Sequence, residues 1–73
     1  MAVRVRKKIK YVEVRFFQSN RDYTYQTGLS LKVDDFVVVP TSQGATVARV
    51  TSARRVPKPD YVCKMVKSLI ELN

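Results

Sequence analysis

The sequence predicts an all-β protein, a small antiparallel barrel or sandwich of four or five short strands. Three observations carry this expectation. Apolar and polar residues alternate over several short stretches, the period-2 signature of half-buried strands. Clusters of Ser, Asn, Asp, Gly and Pro separate those stretches as turns. The 73 residues supply one small core, because a chain of this size buries only about 60% of its unfolded surface. Two layered domains, a Rossmann unit or a barrel enzyme do not fit. Several short strands joined by turns manage their exposed edges by curling up.

In Lys10–Phe17, Val12, Val14 and Phe16 alternate with Glu13 and Arg15, which predicts the first strand. Gln18 to Asp22 offers Ser and Asn/Asp side chains to the local backbone and reads as a turn. Tyr23 to Thr27 alternates aromatic with polar and completes a hairpin. Gly28 marks the next reversal, after which Leu29, Leu31 and Val33 alternate up to Asp34 and Asp35. Phe36–Val39 is a β-branched run that Pro40 ends or confines to an edge. Thr41 to Gly44 is a second turn, and Ala45–Val56 a long strand candidate with Val47, Ala48 and Val50 as its apolar positions. The expected core is Val12, Val14, Phe16, Val38 and Val50.

Pro57-Lys58-Pro59 cannot continue a ladder and reads as an extended connector. Beyond it two readings stay open. Val62, Met65, Val66, Leu69 and Ile70 recur at helical spacing with Asp60 as a cap, while Tyr61 to Cys63 and Val66 suit a final strand. The chain therefore divides into a basic arm or edge strand at 1–9, a barrel at 10–56, and a Pro-containing connector with a C-terminal segment at 57–73.

The net charge is +8, and it sits at the two ends. Arg4, Arg6, Lys7, Lys8, Lys10 and Arg15 face Glu13 alone in the first fifteen residues; Arg49, Arg54, Arg55, Lys58, Lys64 and Lys67 face Asp60 and Glu71 in the last twenty-five. Such a field favours a polyanion or an acidic protein face as partner. The longest purely apolar run is Phe36–Val39, far short of the ~20 residues of a membrane-spanning helix. The basic N-terminus lacks the apolar stretch of a signal peptide. With one Cys no internal disulfide can form, so a soluble protein of a reducing cytoplasm is expected.

Catalytic equipment is sparse. There is no His, the commonest general acid–base, and one Cys without His cannot build a structural zinc site. Asp34 and Asp35 are adjacent and cannot converge from one strand face; Asp35 is expected to order turn amides. Cys63 has no base near it in sequence and reads as a half-buried core thiol. Gly28 and Gly44 form no phosphate loop. We expect no enzyme, no cofactor and no metal. The aromatic residues Tyr11, Phe16, Phe17, Tyr23, Tyr25, Phe36 and Tyr61 either fill the core or stack bases beside the cations.

The sharpest binding feature is the N-terminal run. Val3 and Val5 alternate with Arg4 and Arg6, and Lys7, Lys8 and Lys10 follow. One reading is a solvated tail. The other is an added edge strand with one buried and one charged side. These seven residues are the expected contact, with Arg54, Arg55 and Lys58 as a secondary basic cluster.

Taken together, Tyr23 to Thr27, Leu31 to Pro40 and Val47 to Val50 resemble a recurrent module of short phage-encoded proteins, in which "L-K-V-G-D" leads into a strand. A similar pattern occurs at the N-terminus of bacterial primosomal replication helicases. The resemblance covers residues 10–56 and implies a small SH3-like antiparallel barrel. Asp34 stands where the pattern often has Gly, which predicts a less tight turn. Within that group, length, lone Cys and basic ends look like the small RNA-polymerase-binding regulators of Xanthomonas-infecting phages. That likeness implies a cytoplasmic, monomeric protein that binds host RNA polymerase. It would inhibit initiation by opposing sigma-dependent promoter binding and allow terminator readthrough. The implied contact is the N-terminal part of the β′ subunit, with the β flap as a second. A non-enzymatic nucleic-acid-binding barrel is the alternative, since phosphates would meet the same cations.

Overall fold

The structure, a computed structural model, describes residues 9–71. Alternation along Lys10–Phe16 makes β1, with Val12 and Val14 inward and Glu13 and Arg15 outward. A turn closed by the Ser19 amide donating to the Phe16 carbonyl (3.0 Å) returns the chain as β2, Asp22–Thr27. The hairpin register sets Val12 against Tyr25 and Val14 against Tyr23. β3 spans Phe36–Thr41 and β4 Gly44–Ser52; Gly44 joins them with φ of +110°, a conformation that suits glycine. A short β5, Ser68–Ile70, lies against β3. The sheet order is β2-β1-β4-β3-β5, with every strand pair antiparallel.

The C-terminal segment curls this sheet into a small barrel. Lys64 and Val66 exchange backbone hydrogen bonds of 2.9 Å with Gln26 on β2, and the Lys67 amide donates to Val38 of β3 at 2.8 Å. Within four residues, 64–67, the chain thus reaches from one sheet edge to the other side of the barrel. The helical spacing of Val62 to Ile70 is overridden here. A helix would leave the polar edge groups of β2 and β3 unpaired, whereas the extended chain satisfies them and still buries Val66.

Val12, Val14, Tyr25, Val37, Val39, Ala48, Val50 and Val66 form the core, with Phe16, Leu29, Leu31 and Leu69 packed around it. Fully burying a valine-sized side chain contributes about 1.5–3 kcal/mol, so this cluster dominates the stability. One expected core residue is misplaced. Val38 is half-buried on the outer face, because Phe36 pairs opposite the outward Arg49 and thereby turns Val37 and Val39 inward. In a run of three valines, composition gives no phase; the pairing with β4 decides it.

Other boundaries shift for local reasons. β4 ends at Ser52 rather than Val56, after a bulge at Thr51, whose hydroxyl donates to the Glu13 carbonyl at 3.2 Å. Arg55 then takes φ of +57°, outside strand geometry. Leu29 and Leu31 reach the core from a loop, not a strand, and Val33 is exposed. Pro40 lies inside β3 but beyond the stretch that β5 covers, so its missing N–H leaves no ladder bond unmade.

The turn before β3 keeps its geometry despite the missing glycine. Asp34 itself adopts φ of +78°, the Asp35 amide donates to the Lys32 carbonyl (3.0 Å), and the Asp35 carboxylate accepts the Lys32 amide (2.8 Å). Asp is among the few residues that tolerate this conformation. The expected loosening of the turn does not occur.

Candidate functional site

Strand register decides which charges come together. β1 and β4 are antiparallel with Glu13 opposite Ser52, so the start of β1 and the exit of β4 share one end of the barrel. Lys10 begins β1 there, exposed, and Arg54 and Arg55 follow β4 there, also exposed. The turn carrying exposed Lys32 lies at the same end, since the amide and carbonyl of Val50 bond to Asp35 and Asp34. Lys58 is exposed on the connector. Val3, Arg4, Val5, Arg6, Lys7 and Lys8 lie outside the described residues. Two residues far apart in sequence, Lys10 and Arg54, thus become neighbours in topology.

Two other arginines are already engaged. Arg15 and Arg49 stand opposite each other on the outer face of β1 and β4. Each is paired with a carboxylate at 2.9 Å, Arg15 with Asp22 and Arg49 with Asp34. Partly exposed pairs of this kind contribute little stability, but they neutralise the middle of the sheet. The only ion pairs among the described residues are these two, so Lys10, Arg54, Arg55 and Lys58 keep their charge available for a partner.

The opposite end has another character. The β1–β2 turn, the β3–β4 hairpin and residues 61–64 enclose a groove of about 960 Å³. Phe17, Tyr23 and Tyr61 are exposed in it, while Tyr25 forms its floor and donates its hydroxyl proton to the Pro40 carbonyl at 2.9 Å. Gln26 fixes the far wall by donating its side-chain amide to the Cys63 carbonyl at 2.6 Å. Phe16 packs against Tyr23 with ring centroids 5.4 Å apart. The aromatic residues divide by burial: Tyr25 is buried and Phe16 half-buried, whereas Phe17, Tyr23 and Tyr61 face solvent. β1 ends at Phe16, so Phe17 lies in the turn beyond it and is exposed there.

Burial raises the Tyr25 phenol above its ordinary value, with Tyr23 adding to the effect. Burial likewise pushes the Cys63 thiol up, which keeps it protonated and poorly nucleophilic at neutral pH. Cys63 is more fully buried than expected and sits beside the main cluster, not within it. Among the described residues, no three His, Cys, Asp or Glu side chains gather as metal ligands, and no helix is long and apolar enough to cross a membrane. No family model, curated protein or solved structure matches the chain.

Proposed function

We propose that the protein is a phage-encoded, non-enzymatic regulator that docks on host RNA polymerase through its basic end. In this reading the arm residues Arg4, Arg6, Lys7 and Lys8, together with Lys10 and the secondary cluster Arg54, Arg55 and Lys58, meet an acidic polymerase surface. The N-terminal region of β′ is the first contact and the β flap the second. Binding opposes sigma-dependent initiation and allows readthrough of terminators. The sequence resemblance supplies the partner. The observation that carries the docking mode is the convergence of Lys10 with Arg54 and Arg55 at one barrel end, away from the neutralised middle of the sheet. A basic surface of this kind accelerates encounter and selects partners by charge without catalytic groups.

Calorimetric titration against purified bacterial polymerase tests it. Exposed ion pairs contribute about 0–1 kcal/mol each, so changing Arg4, Arg6, Lys7 and Lys8 together to Ser weakens binding by about tenfold. The melting curve stays unchanged, because these positions precede β1. Changing Arg54, Arg55 and Lys58 gives a smaller loss. Unaltered affinity after both sets are removed rules the docking mode out, and a parent protein that leaves promoter-dependent transcription untouched rules out the regulatory role.

A further inference from the structure

The groove at the aromatic end is not used by the polymerase reading and is independent of it. Phe17, Tyr23 and Tyr61 are 67%, 40% and 58% exposed, three large rings gathered around one concavity. They stand on fixed supports: Tyr25 is tied across the barrel to Pro40, and Gln26 holds the segment that carries Tyr61 through the Cys63 carbonyl. Exposed aromatic groups in a rigid cleft mark a binding surface.

We infer that this groove binds a short stretch of single-stranded nucleic acid. Bases stack on Phe17, Tyr23 and Tyr61, and Lys64 meets a phosphate. Charge complementarity selects this occupant. The groove is lined by one cation, Lys64, and by no carboxylate. Asp22, next to Tyr23, is held by Arg15, and the whole protein carries +8. The polar part of the rim, Gln18, Ser42 and Gln43, offers amides and a hydroxyl that can both donate to and accept from base edges. Sequence-tolerant binders of single strands join these elements: aromatic platforms for the bases and a positive field along the backbone. A proline-rich peptide also docks on aromatic clefts, but it makes no use of the missing carboxylates or the positive field.

The test is a heteronuclear NMR titration of the whole chain with short oligouridylate and oligothymidylate at physiological ionic strength. The amides of Phe17, Tyr23 and Tyr61 to Lys64 shift with either oligonucleotide. Phe17→Ala and Tyr61→Ala each weaken binding about fivefold to a hundredfold, the range measured for removing one stacking platform. Lys64→Gln lowers the slope of log affinity against log salt by about 0.7, the value for one single-strand phosphate contact. Both alanine variants remove mainly exposed rings and keep the parent's melting temperature; should either unfold, the shift map of the parent still decides. The inference is overturned by shifts confined to Lys10, Arg54 and Arg55, or by affinity unchanged in both aromatic variants. It is equally overturned if a proline-rich peptide shifts the groove and the oligonucleotides do not.

Discussion

The two ends of this barrel are built from the same five strands yet hold their side chains by different means. At the basic end the chain passes from β2 to β3 through a long loop, 28–35, and leaves β4 into the long connection 53–67; among the described residues the two non-glycine positions with positive φ, Asp34 and Arg55, lie in these segments. At the aromatic end the strands return through tight turns, and the Tyr25 side chain reaches across to the Pro40 carbonyl. Charge acts over about 8 Å at physiological salt and needs no shape, so loops can carry it. Stacking acts only in contact and needs fixed walls.

Losing the common core should abolish this contrast, and that is the largest effect expected. Val14 is fully buried and central to β1. Val14→Asp leaves an uncompensated charge there at a cost of about 3–5 kcal/mol. A chain of 73 residues has roughly 4–11 kcal/mol in total, so a large share of the stability is lost. Circular dichroism melting checks it, and a parent-like transition would place Val14 outside the core.

Next comes the phase of β3, which supports both ends. Val37→Ala removes two buried methyls and destabilises by about 2 kcal/mol, whereas Val38→Ala stays within about 0.5. Equal losses in denaturant titrations would contradict the observed register. This pair also shows what the sequence could disclose. Alternation in β1 was plain because polar residues mark the outer face, and Val12 and Val14 followed from it. Three consecutive valines carry no such mark, so Val37 and Val39 became visible only through pairing with β4. The site was legible in the same uneven way. Lys10, Arg54 and Arg55 could be named as cations, but their meeting at one end depends on a register between residues about forty apart. The groove was hidden further, since Tyr61 reaches it only through the closing segment.

Removing the Tyr25 hydroxyl sharpens the aromatic side of the comparison. Tyr25→Phe forfeits the bond to Pro40 and costs about 1 kcal/mol at neutral pH. Its pH dependence has a definite sign. The folded phenol is raised above the unfolded value of 10.0, so its stabilisation is complete below that pH. It is lost as pH climbs from there to the folded value, because the unfolded state then releases its proton first. The variant should show a shallower alkaline decline in melting temperature. Cys63, raised in the same direction by burial, adds to the decline above its unfolded value of 9.0. An unchanged alkaline profile would mean that Tyr25 does not titrate as a buried group.

The smallest expected effect lies at the basic end. Asp34→Gly relieves the positive φ but gives up an exposed pair with Arg49 and loosens the unfolded chain. The three nearly cancel, leaving stability within about 0.5 kcal/mol. A loss above about 1 kcal/mol in urea titrations would make the Arg49 pair more than a surface contact.

The clasp formed by residues 64–67 also governs when this fold can come into being. β1 to β4 are complete by Ser52, yet the edges of β2 and β3 wait for Lys64, Val66, Lys67 and β5, the last part of the barrel to leave the ribosome. Until then a growing chain presents two open strand edges and an uncapped valine core, the features that drive misassembly between nascent chains. Closure is a long-range event, joining residues about forty apart, and such contacts form slowly. The basic field offers protection during that interval, because like-charged chains repel one another while the barrel is still open.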